Sequence, residues 1–436
     1  MDVDDTPAEA AVRAAARAWL AGVAKRRGEG EGDWRSFRAK SDEQDAAQLA
    51  MAKAWQRAKF DAGWAAIHWP EVHGGRGRSA IEAGIFSEEE ARFDVSARFF
   101  VVGIDMAGPT LMAHGSAAQQ ARFLQPMLRG DEVWCQLFSE PGAGSDLASL
   151  STRAVRDADG GGWRLTGQKV WTSSAHSADW AICLARTDPD APKHAGITYF
   201  LVDMRSPGVE VRGLRQIDGA IHFNEVFLDG VRVPADRLVG DAHDGWRVAM
   251  TTLTAERTSI GEGGQTGWRE VADLARRAGC DRDQTVRQAV ARLHSRELID
   301  LARRFERDRD PVLRQELARL HTRQQIQRWV LYRVRTAAAR GVTPGPEASV
   351  LKLVNSHQVE HVGAAVMSVL GADGMLWHQD APDGGFWQDV FLFQWSSRIG
   401  GGTENIQRNI LAERILGLPR EPDPFRGQPW RDLPKS

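Results

Sequence analysis

Two stretches of helical period enclose one stretch of strand period, and that order limits the possible folds more than any other feature of the chain. Residues 1–131 carry repeated helix-start signals. Thr6-Pro7 sets a capping residue before a proline suited to the first helical turn. Ser41 with Gln44, Ser79 with Glu82, and Ser116 with Gln119 have capping-box spacing, in which two side chains satisfy orphan amides reciprocally. Leu49, Ala52, Trp55 and Ala58 recur at helical spacing, and Gly63 closes that element. After Gly130 the texture changes. Trp163 and Leu165 precede a break at Thr166-Gly167. Ala181–Leu184 and Ile197–Val202 are compact enough for buried strands, Val209 and Val211 alternate with charge, and Asp229-Gly230 reads as a turn.

From Gly245 the helical period returns. Asp310-Pro311 opens a helix with Leu313, Leu317, Leu320 and Ile326, expected to end near Gly341. Another is expected from Pro346 to Gly371, and a last one from Thr403 to a stop at Gly417 and Pro419. Segregated helices, strands and helices exclude a Rossmann alternation. The expected fold class is α+β: an N-terminal helical bundle (1–131), a middle antiparallel β domain (132–244), a C-terminal helical bundle (245–419) and a loose tail (420–436).

Composition removes several function classes. With 42% hydrophobic and 26% charged residues, the chain can build a packed core. Lys and Arg number 56 against 58 Asp and Glu, and that balance disfavours a nucleic-acid binder. No apolar run reaches the ~18 residues of a membrane span. The acidic start, MDVDDTPAEA, lacks a signal pattern, so a cytoplasmic protein is expected. Cys135, Cys183 and Cys280 are far apart and form neither a disulfide framework nor a zinc spacing. His357 and His361 stand at i, i+4 on a helix, but no Cys or carboxylate completes a ligand set, so no metal is expected.

Three strings can carry chemistry. Ser139 to Asp146 holds Pro141, Gly142, Ala143 and Gly144, which block regular structure and permit close approach of a flat ligand. Gly167 to Ser173 sets Trp171 beside Thr172 and Ser173, a ring and two hydroxyls suited to covering a planar group. Gly400, Gly401 and Gly402 precede Thr403 at a helix start, where open amides favour an anion such as a pyrophosphate. Taken singly, these strings also fit an ordinary connection, a core tryptophan and a hinge.

Taken together, they resemble the acyl-CoA dehydrogenase family over nearly the whole chain. The resemblance is carried by Gly63-Trp64, Trp69 to Gly75, Glu88-Glu89, Ser139 to Asp146, Gln168 to Ser173, Phe223 to Pro234, Gly401 to Arg408 and Arg414 to Pro419. A weaker resemblance is to the bacterial branch that handles bulky acyl chains, including sterol side chains. The family is a set of FAD flavoproteins that remove an α proton and a β hydride from an acyl-CoA, giving a trans-2-enoyl-CoA. They serve fatty-acid or steroid side-chain β-oxidation and pass electrons to an electron-transfer flavoprotein.

Carried over residue by residue, the resemblance implies that Gln136, Leu137, Phe138 and Ser139 line the flavin. Gly144 and Ser145 belong to the same loop, with Ser145 near the pantetheine arm. Trp171, Thr172 and Ser173 cover the ring and bond its edge. Thr403 and Asn405 meet the dinucleotide, Asn405 replacing the usual Gln. The family's α-proton base takes one of two positions. One is Gly401 here and carries no carboxylate. The other, just before Arg257 on the first helix of the last domain, is Glu256. Glu256 is therefore the implied base, the Gly401 amide an implied donor to the thioester carbonyl, and Arg257 a residue that orients the helix or the CoA. Glu140 is expected to fix its loop and Glu404 to complement a helix dipole.

Two features depart from the family pattern. No Arg-x-x-Phe-Gly string occurs between Trp268 and Leu293, although Arg276 and Arg277 stand near. Ser368 to Gly374 replaces an expected Gln-x-x-Gly-Gly. In the family both features serve FAD across a subunit interface; without them a simple homotetramer is not expected to hold FAD in every subunit. The resemblance implies a homo- or hetero-oligomer of homologous chains in which a partner can supply the missing contacts. The alternatives to an active dehydrogenase are a non-catalytic or FAD-sharing subunit of a heteromer, and a flavin monooxygenase or oxidase on the same fold.

Overall fold

A computed structural model describes residues 5–26, 42–90, 92–93, 95, 98–217, 223–262, 295–339, 347–377 and 380–434. The helix starts follow the capping chemistry. Thr6 and Glu9 form a full capping box at α1 (Pro7–Val23), with proline in its first turn. Ser79 and Glu82 exchange side chain and amide at α3 (Ala80–Glu90). Ser116 and Gln119 do so at α5 (Ala117–Arg129). The Ser41–Gln44 pair lies outside the described residues; the helix there is α2 (Asp42–Asp61). A π-helical turn, Val102–Ala107, leads into α4 (Gly108–His114).

The chain divides into two compact units. One holds Met1–Phe37, Ser79–Val95 and Arg257–Pro419; the other holds Arg38–Arg78, Ser96–Glu256 and Arg420–Ser436.

The second unit is built on an eight-stranded sheet. Its strands are β1 (Trp134–Leu137), β2 (Arg153–Arg156), β3 (Gly162–Ser173), β4 (Trp180–Arg186), β5 (Ile197–Asp203), β6 (Val209–Leu214), β7 (Phe223–Pro234) and β8 (Leu238–Val239). The order is β6-β7-β3-β2-β4-β5-β8, with β1 beside β4. Antiparallel pairs dominate, but β1 and β2 run parallel to β4, so the sheet is mixed where a wholly antiparallel one was expected. Long connections between these partners make the parallel pairing possible. β4 and β5 are buried on both faces, which explains their unbroken apolar sequences. One face packs Ile182, Leu184, Tyr199 and Leu201 against Leu111, Phe123 and Leu128 of the helices. The other packs Cys183, Phe200 and Val202 with Leu165, Val226 and Val231.

Two bulges shape the β3–β7 pair. Asp229-Gly230 is not a turn. It lies within β7, where the register moves from Leu165↔Val231 to Gly167↔Leu228 and leaves one extra residue on β7. Gly230 takes φ +60° there. The expected break at Thr166-Gly167 is this same irregularity in a continuous β3. The second bulge, between Lys169↔Val226 and Thr172↔Asn224, leaves an extra residue on β3.

In the first unit, Arg13 bonds Glu88 (3.0 Å) and Glu89 (3.1 Å), tying α1 to α3, and Arg17 joins Glu89 at 2.9 Å. Among the described residues, the further helices there are α7 (Ser295–Arg304), α8 (Pro311–Ala339), α9 (Glu347–Leu370), α10 (Phe386–Ile399) and α11 (Glu404–Arg414). Leu301, Leu313, Leu317, Val362, Val366 and Trp387 form their core. Ile326, expected in that apolar series, is exposed. Helices α7 and α10 are not legible in the sequence: α7 is densely charged, and α10 follows Gly385 without a side-chain cap. No helix among the described residues is long and apolar enough to cross a membrane.

The chain end departs from the loose tail expected of it. Pro429 bridges Pro192, and Trp430 and Arg431 donate backbone hydrogen bonds to Ala191 O (2.9 Å) and Pro189 O (3.0 Å). Polar backbone on both sides supplies a docking edge that composition does not reveal.

Candidate functional site

Helix α6 (Gly245–Glu262) leaves the sheet with one stripe of residues turned inward. Val248 and Ala249 join the core of the second unit. Thr252, one turn on, is buried in a hydroxyl trio with Thr110 (2.8 Å) and Tyr199 (3.1 Å). Residues four apart share a helix face, so Glu256 continues this stripe beyond the core. Its Oε2 lies 3.5 Å from Nε2 of Gln136. Gln136 is the half-buried member of β1, whose other three residues are buried. The helix anchor and the strand alternation together bring the expected base to the expected flavin strand.

The loop after β1 is held from below. Glu140 and Ala143 exchange backbone hydrogen bonds at 3.0 Å each, leaving Pro141 and Gly142 exposed at the tip. The Glu140 carboxylate accepts from the amides of Ser151 (2.7 Å) and Thr152 (2.9 Å), the Ser151 hydroxyl (2.8 Å) and the Lys169 ammonium (2.8 Å). Burial pushes its pKa up, but the Lys169 charge and these hydrogen bonds prevail and hold it at about 2. Lys169 also donates to Phe138 O (3.1 Å) and Leu184 O (2.8 Å). Glu140 thus fixes its loop. Lys169 is the partner that sequence reading missed, although its inward phase with Trp163 and Leu165 on β3 was a usable signal.

Trp171 is the extra residue of the β3 bulge. It takes φ +62°, rare for a bulky side chain, and leaves its ring 60% exposed with its edge against Phe223. Ser173 and Ser139 are half-buried, and Gly144 and Ser145 are exposed. A Cβ added at Gly144 would meet no heavy atom within 4 Å. Leu137, Phe138 and Thr172 differ from this set. Their side chains are buried, Leu137 and Phe138 in the core.

In the first unit, Gly401 (φ +68°) and Gly402 (φ +92°) turn the chain from α10 into α11 in backbone that L side chains rarely adopt. Thr403 is the N-cap, its hydroxyl accepting from the Ile406 amide at 3.3 Å. Asn405 is exposed on the first turn. Glu404 is buried, and more than a dipole complement. It binds Arg398 at 2.8 Å and Arg408 at 3.5 Å and lies 3.7 Å from His357. Burial raises its pKa, but Arg398, His357 and Arg408 bring it below the usual value. Carboxylates do therefore stand near His357: Glu360 and Glu404 form a cluster with it. Arg398 already pairs with both, at 3.1 and 2.8 Å. The Arg257 side chain, and Arg276 and Arg277, lie outside the described residues.

Residues 6–131, 135–231 and 286–416 match the N-terminal, middle and C-terminal domains of acyl-CoA dehydrogenase. The chain belongs to the acyl-CoA dehydrogenase family. It is 40% identical over 381 residues to acyl-CoA dehydrogenase IpdE1 of Mycobacterium tuberculosis, covering 85% of this chain and 88% of that protein. It is 42% identical over 366 residues to acyl-CoA dehydrogenase FadE34 of the same organism. That match takes in 84% of this chain but 46% of FadE34, so the chain spans about half of that relative's length. Among solved structures, the Tcur3481-Tcur3483 steroid ACAD superposes with a TM-score of 0.76 at 27% identity, covering 97% of this chain and 100% of that one. The ChsE4-ChsE5 complex from Mycobacterium tuberculosis gives 0.70 at 26%, with 97% and 100% covered.

Acyl-CoA dehydrogenases are flavin oxidoreductases, and the residues here fit a flat cofactor. An exposed, backbone-strained Trp171, the half-buried hydroxyls of Ser139 and Ser173, and open space at Gly144 suit a ring and its polar edge.

Proposed function

We propose that the protein dehydrogenates an acyl-CoA thioester between its α and β carbons, with Glu256 as the base. The observation that carries this reading is the 3.5 Å approach of Glu256 to Gln136. A half-buried carboxylate on a helix anchored through Thr252 meets the strand that the family resemblance gives to the flavin.

FAD, held by Gln136, Ser139, Ser145, Trp171, Ser173, Thr403 and Asn405, would supply the acceptor for the β hydride. The chain's own residues do the rest. Glu256 takes the α proton. The Gln136 amide donates to its carboxylate and so holds one rotamer. Thr252, bonded to Tyr199 and Thr110, stops α6 from rotating. The resemblance gives the Gly401 amide to the thioester carbonyl and Ser145 to the carrier arm. The bulky, steroid-type branch is favoured by the likeness to a steroid ACAD. The reading includes a cytoplasmic location and an electron-transfer flavoprotein as acceptor.

The test is a flavin spectrum of the purified protein, followed by anaerobic titration with acyl-CoAs from short chains to steroid side chains. Wild type is expected to bleach with a bulky thioester, and Glu256→Gln to bleach about 10²–10⁴-fold more slowly. Equal rates would remove Glu256 from the mechanism.

A second reading makes this chain one component of a heteromer that shares FAD sites. It is favoured by the altered Ser368 to Gly374 segment and by structural neighbours that are named as two-component proteins. Copurification with a homologous chain, together with flavin counted per subunit, decides it.

A further inference from the structure

Residues 420–434 lie past Leu416, where the C-terminal domain match ends, yet they are built into the second unit. Pro429 and Pro192 form an antiparallel bridge, Trp430 and Arg431 hydrogen-bond the 189–191 backbone, and Arg431 pairs with Asp190. The Trp430 ring covers the Arg186 guanidinium, 4.6 Å from its centroid.

Arg186 is a relay. It is 2% exposed, and its Nη2 donates to Ala148 O at 2.6 Å while Nη1 donates to Lys193 O at 2.7 Å. The Lys193 ammonium in turn bonds both oxygens of Asp146, at 3.0 and 2.9 Å. Asp146 also accepts from the Ser149 hydroxyl at 2.5 Å. A continuous chain of contacts therefore runs from Trp430 to the residue beside Ser145. A buried guanidinium closed over by an indole has few alternative positions, so the carbonyls it binds are fixed with it.

We propose that the C-terminal segment is a strap that sets affinity for the acyl-CoA. Through Trp430 and Arg186 it holds the Ser145–Leu150 loop in the shape that receives the pantetheine arm, without touching the reacting atoms. Trp430 and Arg186 are positioning residues. The proposal rests on the reading of Ser145 as a contact to that arm.

The experiment compares wild type, Trp430→Ala, Trp430→Phe, Arg431→Ala and Ser145→Ala, with rates divided by bound flavin, on the thioester that bleaches wild type fastest. Trp430→Ala is expected to raise KM five- to tenfold with kcat within twofold. Trp430→Phe keeps a ring over the guanidinium and is expected to restore KM to within twofold. Arg431→Ala, which loses only a surface ion pair, keeps the test open if Trp430→Ala does not fold, and is expected to raise KM at least twofold. A Ser145→Ala variant with raised KM beside strap variants with wild-type KM overturns the strap. Wild-type KM in Ser145→Ala overturns the reading of the loop on which the strap depends. Wild type that bleaches with no thioester overturns the catalytic reading itself.

Discussion

Lys169 Nζ lies 2.8 Å from Glu140 Oε1, with both side chains out of reach of solvent. The pair joins β3 to the loop that follows β1. Lys169→Met would leave a buried carboxylate uncompensated, and a loss of about 3–5 kcal/mol in unfolding free energy is expected in urea denaturation.

The same pair predicts a pH dependence. The Glu140 pKa is about 2 in the fold against 4.5 for the ordinary side chain, so its contribution is complete above 4.5 and disappears as pH falls towards 2. Glu140→Gln should be less stable at neutral pH and should lose that part of the acid slope. An unchanged slope between those values would show that Glu140 is not the titrating group.

Trp171 combines exposure with strained backbone. Trp171→Gly removes little buried area and relieves a conformation that costs about 1–3 kcal/mol, though glycine returns part of this as chain entropy. The apoprotein is expected to unfold within about 1 kcal/mol of wild type. Flavin retention on dialysis is expected to drop at least tenfold. Full retention would mean that the ring covers nothing.

Gly402 allows a test of the other unit. Its φ is +92°, and an added Cβ would sit 2.6 Å from Gln407 Nε2, which bonds Gly401 O at 3.0 Å. Gly402→Ala should cost about 1–3 kcal/mol. It should also lower kcat more than it raises KM, because it displaces the backbone proposed to polarise the thioester. Steady-state kinetics on flavin-loaded protein reads the split.

Arg398 and Glu404 close the turn that contains these glycines. A double-mutant cycle with Arg398→Gln and Glu404→Gln should give a coupling of about 0.5–3 kcal/mol in chemical denaturation. Because the Glu404 pKa is lowered in the fold, wild-type stability should fall as pH drops, and the Glu404→Gln variant should lack that component.

The helix starts at Thr6, Ser79 and Ser116 and the buried strands β4 and β5 were readable because capping and alternation are local. Asp229-Gly230 was misread for the same reason: the dipeptide states a backbone preference, and only the partner strand decides between a turn and a bulge. Helix α10 was missed because its start carries no side-chain cap. At the site, Glu256, Trp171 and the Gly401–Thr403 turn stood out by resemblance. The burial of Leu137, Phe138 and Thr172 did not, since alternation within a short strand does not say which face is covered.

By itself the sequence determined the α+β order, the family and the absence of a carboxylate at Gly401, because these depend on residue identity and spacing along the chain. Tertiary structure alone decided that Glu256 meets Gln136, 120 positions away, that Lys169 answers Glu140, and that Trp430 covers Arg186. Such pairings are set by how sheet, helix and chain end pack. Burial makes each of them count, because a charge withdrawn from water must find its partner wherever the fold has carried it.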